Sequence, residues 1–149
     1  MYGNEQLVDR KYIRGVSWGG KSYEQPYGLA VDNSGDLYVT GYFRTTVDFD
    51  PGPGVDEHKV WEYHIFLSKF DPDLNYIWGK SWGERTDILD HVDFGYDVAT
   101  DNSSNVYIGG CFYCPWSNLD FDPGPGIDYH TSNGEWDAFL IKVDEDGNW

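Results

Sequence analysis

Carboxylates are the side chains best supplied for chemistry in this 149-residue sequence, and they recur in patterns. Asp48-Phe49-Asp50-Pro51-Gly52-Pro53-Gly54-Val55-Asp56-Glu57-His58 returns as Asp120-Phe121-Asp122-Pro123-Gly124-Pro125-Gly126-Ile127-Asp128-Tyr129-His130. In an extended segment residues two apart point the same way, so Asp48 with Asp50, and Asp120 with Asp122, form carboxylate pairs. Together with Asp56, Asp128 and loop carbonyls they make an oxygen donor set that suits calcium, the one cofactor the sequence suggests. The spacing is not that of the twelve-residue EF-hand loop. An Asp before Pro-Gly also caps a turn through its own side chain, and that reading is favoured. His58 and His130 each follow an Asp by two residues, an arrangement that could touch a metal or a sugar; packing or plain exposure is the simpler account. Asp71-x-Asp73-x-Asn75 and Asp144-x-Asp146-x-Asn148 open like calcium loops but lack the downstream bidentate Glu, so they read as hairpin turns.

Cys111-Phe112-Tyr113-Cys114 is a lone CxxC, short of the four ligands of a structural zinc site and outside any βαβ context. It leaves a local disulfide, two thiols or a bulge, with the disulfide preferred in an extracellular protein. Asn102-Ser103-Ser104 fits the short pattern of a glycosylation acceptor. No Gly-rich phosphate loop, nucleophile elbow or HExxH helix is present. The Asp-x-His pair comes twice, and an active centre rarely needs two identical copies. No one carboxylate pair stands out for hydrolysis. The sequence therefore reads as non-enzymatic.

A formal charge of −16 and a pI near 4.2 exclude the basic footprint that nucleic acid requires. They argue equally against an anionic membrane surface. No run of about 18 apolar residues is present to span a bilayer, and residues 1–15 hold no apolar stretch of signal-peptide length. The chain is expected to be cytoplasmic, already processed, or cut from a longer parent. Aromatics make up 18% of it, with 18 Gly and 7 Pro, so a packed core is within reach despite a mean hydropathy of −0.60. Many turns and few helix formers predict an all-β fold.

Internal repetition organises the rest. Residues 30–41 (AVDNSGDLYVTG) match residues 99–110 (ATDNSSNVYIGG), the Asp-Phe-Asp-Pro-Gly-Pro-Gly motif returns, and Phe66-Leu67-x-Lys69 returns as Phe139-Leu140-x-Lys142. Each copy reads as four short strands: a small-residue strand at Gly28 to Val31, one at Leu37 to Phe43, one at Ile65 to Phe70 and an aromatic one at Tyr76 to Trp82. Small inside and aromatic outside is the plan of a propeller blade. At about 70 residues the unit exceeds the common 40 to 50, with the excess between its second and third strands.

The runs GLAVDNSGDLYVTGYF, VDFDPGPG and IFLSKFDPDLNYIW resemble the bacterial β-propeller repeat called SBBP, over nearly the whole chain in two copies. The resemblance implies a propeller, often in secreted or surface-attached proteins, and implies no catalytic residues.

Tyr12-Ile13-Arg14-Gly15-Val16-Ser17-Trp18-Gly19 matches Tyr76-Ile77-Trp78-Gly79-Lys80-Ser81-Trp82-Gly83, a fourth strand without its first three. The expected organisation is an outer strand for a neighbouring blade at 1–19, a first blade at 20–83, and a second at 84–149 lacking its outermost strand. Two blades cannot close a ring, since known rings need roughly four to eight. The expected partner is the chain itself, as a trimer or tetramer, or further blades of a longer parent. The expected function is an assembly scaffold closed by strand exchange between chains. A lectin-like propeller, with sugars stacked on Trp61, Tyr63 and Trp136 in one site per blade, is the alternative.

Overall fold

The computed structural model describes residues 13–82, 92–116 and 118–149, and every regular element among them is a strand. A two-residue β1 (Gly19–Gly20) is followed by β2 (Glu24–Val31), β3 (Leu37–Asp48), β4 (Glu57–Phe70) and β5 (Tyr76–Trp82). These last four pair antiparallel in sequence order and make one four-stranded blade. The second copy supplies β6 (Val92–Thr100), β7 (Val106–Tyr113), the short β8 (Leu119–Asp120) and β9 (Tyr129–His130), and β10 (Asp137–Val143). Here β6, β7 and β10 repeat the order of β2, β3 and β4. Among the described residues nothing pairs with the outer edge of β10, where β5 stands in the first blade. The sheets do not close, so the fold is two propeller blades of an incomplete ring. The expected boundary at residues 83 and 84 lies outside the described residues.

Aspartate builds the hairpins. Asp32, Asp71, Asp101 and Asp144 each turn one carboxylate oxygen onto the backbone N–H groups two and four residues on, at 2.8–3.0 Å. The chain reverses through a left-handed residue in each: Gly35, Leu74, Ser104 and Gly147. These are the turns expected at Asp71 and Asp144, fixed by the side chain's imitation of a backbone carbonyl.

The inner strands touch closely. A Cβ on Gly28 would lie 2.9 Å from the backbone nitrogen of Val98, so only glycine lets β2 and β6 approach this far. The larger core lies between the blades. Tyr38, Ile65, Leu67 and Trp82 of the first pack on Val106, Ile108, Phe139 and Ile141 of the second. A smaller cluster of Phe43, Val47, Phe49 and Phe66 fills the opposite face of the first blade.

Among the described residues no strand pairs with residues 13–18, and Tyr12 lies outside the described residues. Arg14 donates from Nη1 to the carbonyl of Asp73 and to Oδ1 of Asn75, both at 2.8 Å. Trp18 lies 4.9 Å from the ring of Phe70 and packs on the smaller cluster. One blade further on, Trp78 of β5 donates to the carbonyl of Glu145 in the equivalent turn, and Trp82 donates to the carbonyl of Phe121. The leading segment thus lies on the first blade much as β5 lies on the second.

Candidate functional site

In each copy the long excursion after the second strand folds back over the sheet, and the repeated acidic motif takes shape there. Asp48 Oδ1 accepts from the N–H groups of Asp50 (3.1 Å) and Asp56 (2.9 Å), and Asp50 Oδ1 from Gly52 (2.6 Å). Asp120 accepts in the same way from Asp122 (3.0 Å) and Asp128 (2.9 Å), and Asp122 from Gly124 (2.7 Å). These four carboxylates hold the loops in shape. Among the described residues no three His, Cys, Asp or Glu gather as a metal donor set.

Asp56 and Asp128 turn instead to the histidines. His58 places Nδ1 2.8 Å from Ser81 Oγ and Nε2 3.4 Å from Asp56 Oδ1, with the Phe49 ring edge-on at 5.0 Å. The other oxygen of Asp56 accepts from the Tyr76 hydroxyl. Burial pushes the His58 imidazole below its ordinary pKa, and Asp56 only partly restores it. Burial and Asp56 together raise the Tyr76 phenol. In the second copy His130 Nε2 lies 3.3 Å from Asp128 with Phe121 at 4.9 Å. Its ring is half exposed, and among the described residues no serine reaches it.

Asp56, His58 and Ser81 have the residue types of a nucleophilic triad. His58 and Ser81 border a cleft of about 730 Å³ shared with Trp61, Asp120, Asp122 and Tyr129. Carboxylates facing the cleft oppose a developing oxyanion, the reverse of what acyl transfer requires. The array reads as a lock that fastens β5 to the folded-back loop.

Trp61 is 56% exposed in that cleft, with Lys59 Nζ 5.8 Å from its ring centroid. Tyr63 and Trp136 hold equivalent places in the two copies and meet through Phe94, at 6.1 Å and, stacked, at 5.6 Å. Tyr42 joins them 4.7 Å from Phe94. The structure therefore brings Tyr63 and Trp136 to one aromatic surface at the blade junction, sets Trp61 with His58, and leaves His130 in a separate groove. Ser81, Tyr76 and Phe94 were not singled out by sequence; the first two do belong to the segment that residues 12–19 repeat. No disulfide joins the CxxC pair. Cys114 is buried in the core, whereas the Cys111 thiol donates to the Tyr96 hydroxyl at 3.4 Å, so the two side chains face different surroundings. That contact, with burial, raises the Tyr96 phenol to about 12.

Four antiparallel strands with glycine-rich inner and aromatic outer strands, stacked face to face, define a β-propeller blade. Residues 18–50 match the SBBP family, described as a beta-propeller repeat, and the chain carries a repeat of that type. No curated protein matches the chain. The repeat is a structural one and is not typically enzymatic.

Proposed function

We propose that the protein is a non-enzymatic assembly and binding scaffold whose blades form part of a ring completed by further copies of the chain. One comparison carries this reading. Leu67 is fully buried between the blades, whereas its counterpart Leu140, on the outward face of the second blade, is 73% exposed. Val98 is 6% exposed against the first blade, whereas its counterpart Leu29, on that blade's outward face, is 63% exposed. Each outward face is therefore the mate of a face already buried inside the chain. Stacking the second blade of one copy on the first blade of the next covers both, and such head-to-tail contacts close into rings. Three copies give six blades and four give eight, both within the roughly four to eight of known rings. A longer parent supplying the same faces is the variant of this reading in which the ring lies in one polypeptide. By resemblance the scaffold belongs outside the cell or at its surface.

Light scattering on the purified chain tests the reading. A mass of three or four times 17.1 kDa is expected at micromolar concentration, and a strict monomer would refute closure between chains. The surface of Tyr42, Tyr63, Phe94 and Trp136 favours carbohydrate as the second reading, because sugars stack on such rings and repeated weak sites gain by multivalency. A glycan array showing no binding retires it.

A further inference from the structure

The second blade carries an unfilled groove. Its volume is about 410 Å³, and Phe121, Asp128, His130, Phe139 and Leu140 are among its walls. In the first blade the counterparts are Phe49, Asp56, His58, Phe66 and Leu67, and these hold β5. Ser81 bonds to His58, Tyr76 bonds to Asp56, Gly79 sits against Phe49, and Phe66 and Leu67 pair with Ser81 and Lys80. The groove is the β5 seat of the second blade, with Trp149 at its rim in the place of Tyr76.

We propose that this groove binds an extended peptide strand of the pattern Ile-x-Gly-x-Ser-Trp, and that its occupant is residues 13–18 of a second copy. The proposal rests on the assembly reading above and adds the identity of the joining strand. Three observations select the occupant. Ile13, Gly15, Ser17 and Trp18 repeat Ile77, Gly79, Ser81 and Trp82, the residues that fill the same seat in the first blade. Among the described residues no strand pairs with residues 13–18, which leaves their backbone groups available to the edge of β10. Charge agrees as well. Arg10, Lys11, Arg14 and Lys21 are four of only ten cationic side chains in a chain of net charge −16, while Asp128 and Asp137 line the groove.

The register follows from β4 and β5: Trp18 opposite Ala138, Ser17 opposite Phe139, Val16 opposite Leu140. Ser17 then brings its hydroxyl to Nδ1 of His130 and completes across the seam the Asp-His-Ser lock that the first blade makes alone. The incoming strand covers Leu140, and Arg14 and Trp18 stay on the first blade of their own chain.

The test uses the full chain with Val16→Pro and Ser17→Pro together. Successive N–H groups of a strand point to opposite edges, so one of the two removed must face β10. Both residues lie outside the strands, and unchanged circular dichroism checks the fold. The assembled mass is expected to fall to that of one chain. A fluorescein-labelled synthetic peptide of residues 10–20 should bind this variant at one site per chain, more weakly at high salt, and should shift the imidazole NMR signals of His130 but not those of His58. The peptide carrying the two prolines should bind at least tenfold more weakly. If the variant keeps the wild-type assembled mass, the strand assignment is wrong while assembly stands. If the wild type is monomeric yet the peptide binds and moves His130, the seat is right and ring closure between copies is wrong. A monomer that ignores the peptide overturns both.

Discussion

Single carboxylates set how this fold answers to acid. Asp101 accepts from Ser103, Asn105 and Tyr107, and these bonds hold its carboxyl at about 2 against an ordinary 3.8; Asp71 and Asp144 are lowered for the same reason. A depressed folded-state pKa means the ionised form is the one the fold favours. Its stabilisation is complete above about pH 4 and disappears as pH falls toward 2. Thermal melts should therefore show Tm falling across that window, and Asp101→Ala should lower Tm at pH 7 and flatten the fall. His58 has the opposite charge type but the same slope. Burial lowers its pKa, so the neutral ring is favoured, the contribution is full above about pH 6.5, and it is lost on acidification below that. His58→Gln should remove part of the loss in Tm between pH 7 and pH 5.

At the scale of elements, strands and turns were legible because each is specified locally. The period-two alternation of Leu37 to Phe43, the Asx turns and the crowded glycine strand need no knowledge of the rest of the chain. The repeat fixed the blade in the same way, since one aligned motif places four strands. What could not be read was where the long excursions go. Ser81 meets His58 only because residues 48–60 fold back across β5, and nothing near Ser81 in sequence announces this. The acidic motif was ambiguous for a related reason, as the same aspartates can serve a cation or backbone N–H groups. With Asp48, Asp50, Asp120 and Asp122 occupied by amides, chelation with excess EDTA should leave Tm unchanged; a fall of several degrees would point to a cation holding the loops. Trp82 shows how much one outer-strand residue carries. It is 1% exposed, and its indole bonds to the carbonyl of Phe121 in the other blade. Trp82→Ala should cost about 3–5 kcal/mol in urea denaturation, as for other large buried aromatics.

For the whole molecule the decisive property is that its two outward faces differ. One carries Leu29 and Val31, the other Leu140, and each mates with the opposite kind rather than with itself. An isologous dimer would bring like faces together; a head-to-tail ring brings unlike faces together, and the two can be told apart without a structure. Leu29→Glu blocks one face and Leu140→Glu the other. Losing one buried leucine removes about 1.5–3 kcal/mol, which is roughly ten- to hundredfold in affinity, and a buried carboxylate weakens the contact further. Each variant alone should be monomeric by light scattering, because every contact in the ring uses one face of each kind. Mixed in equal amounts, they still offer one intact pair: the untouched Leu140 face of the first variant and the untouched Leu29 face of the second. The mixture should therefore form dimers of one chain of each type and stop there, since both remaining ends are blocked. Dimers in either variant alone would mean that like faces pair, and a mixture that stays monomeric would mean that these faces do not bind each other.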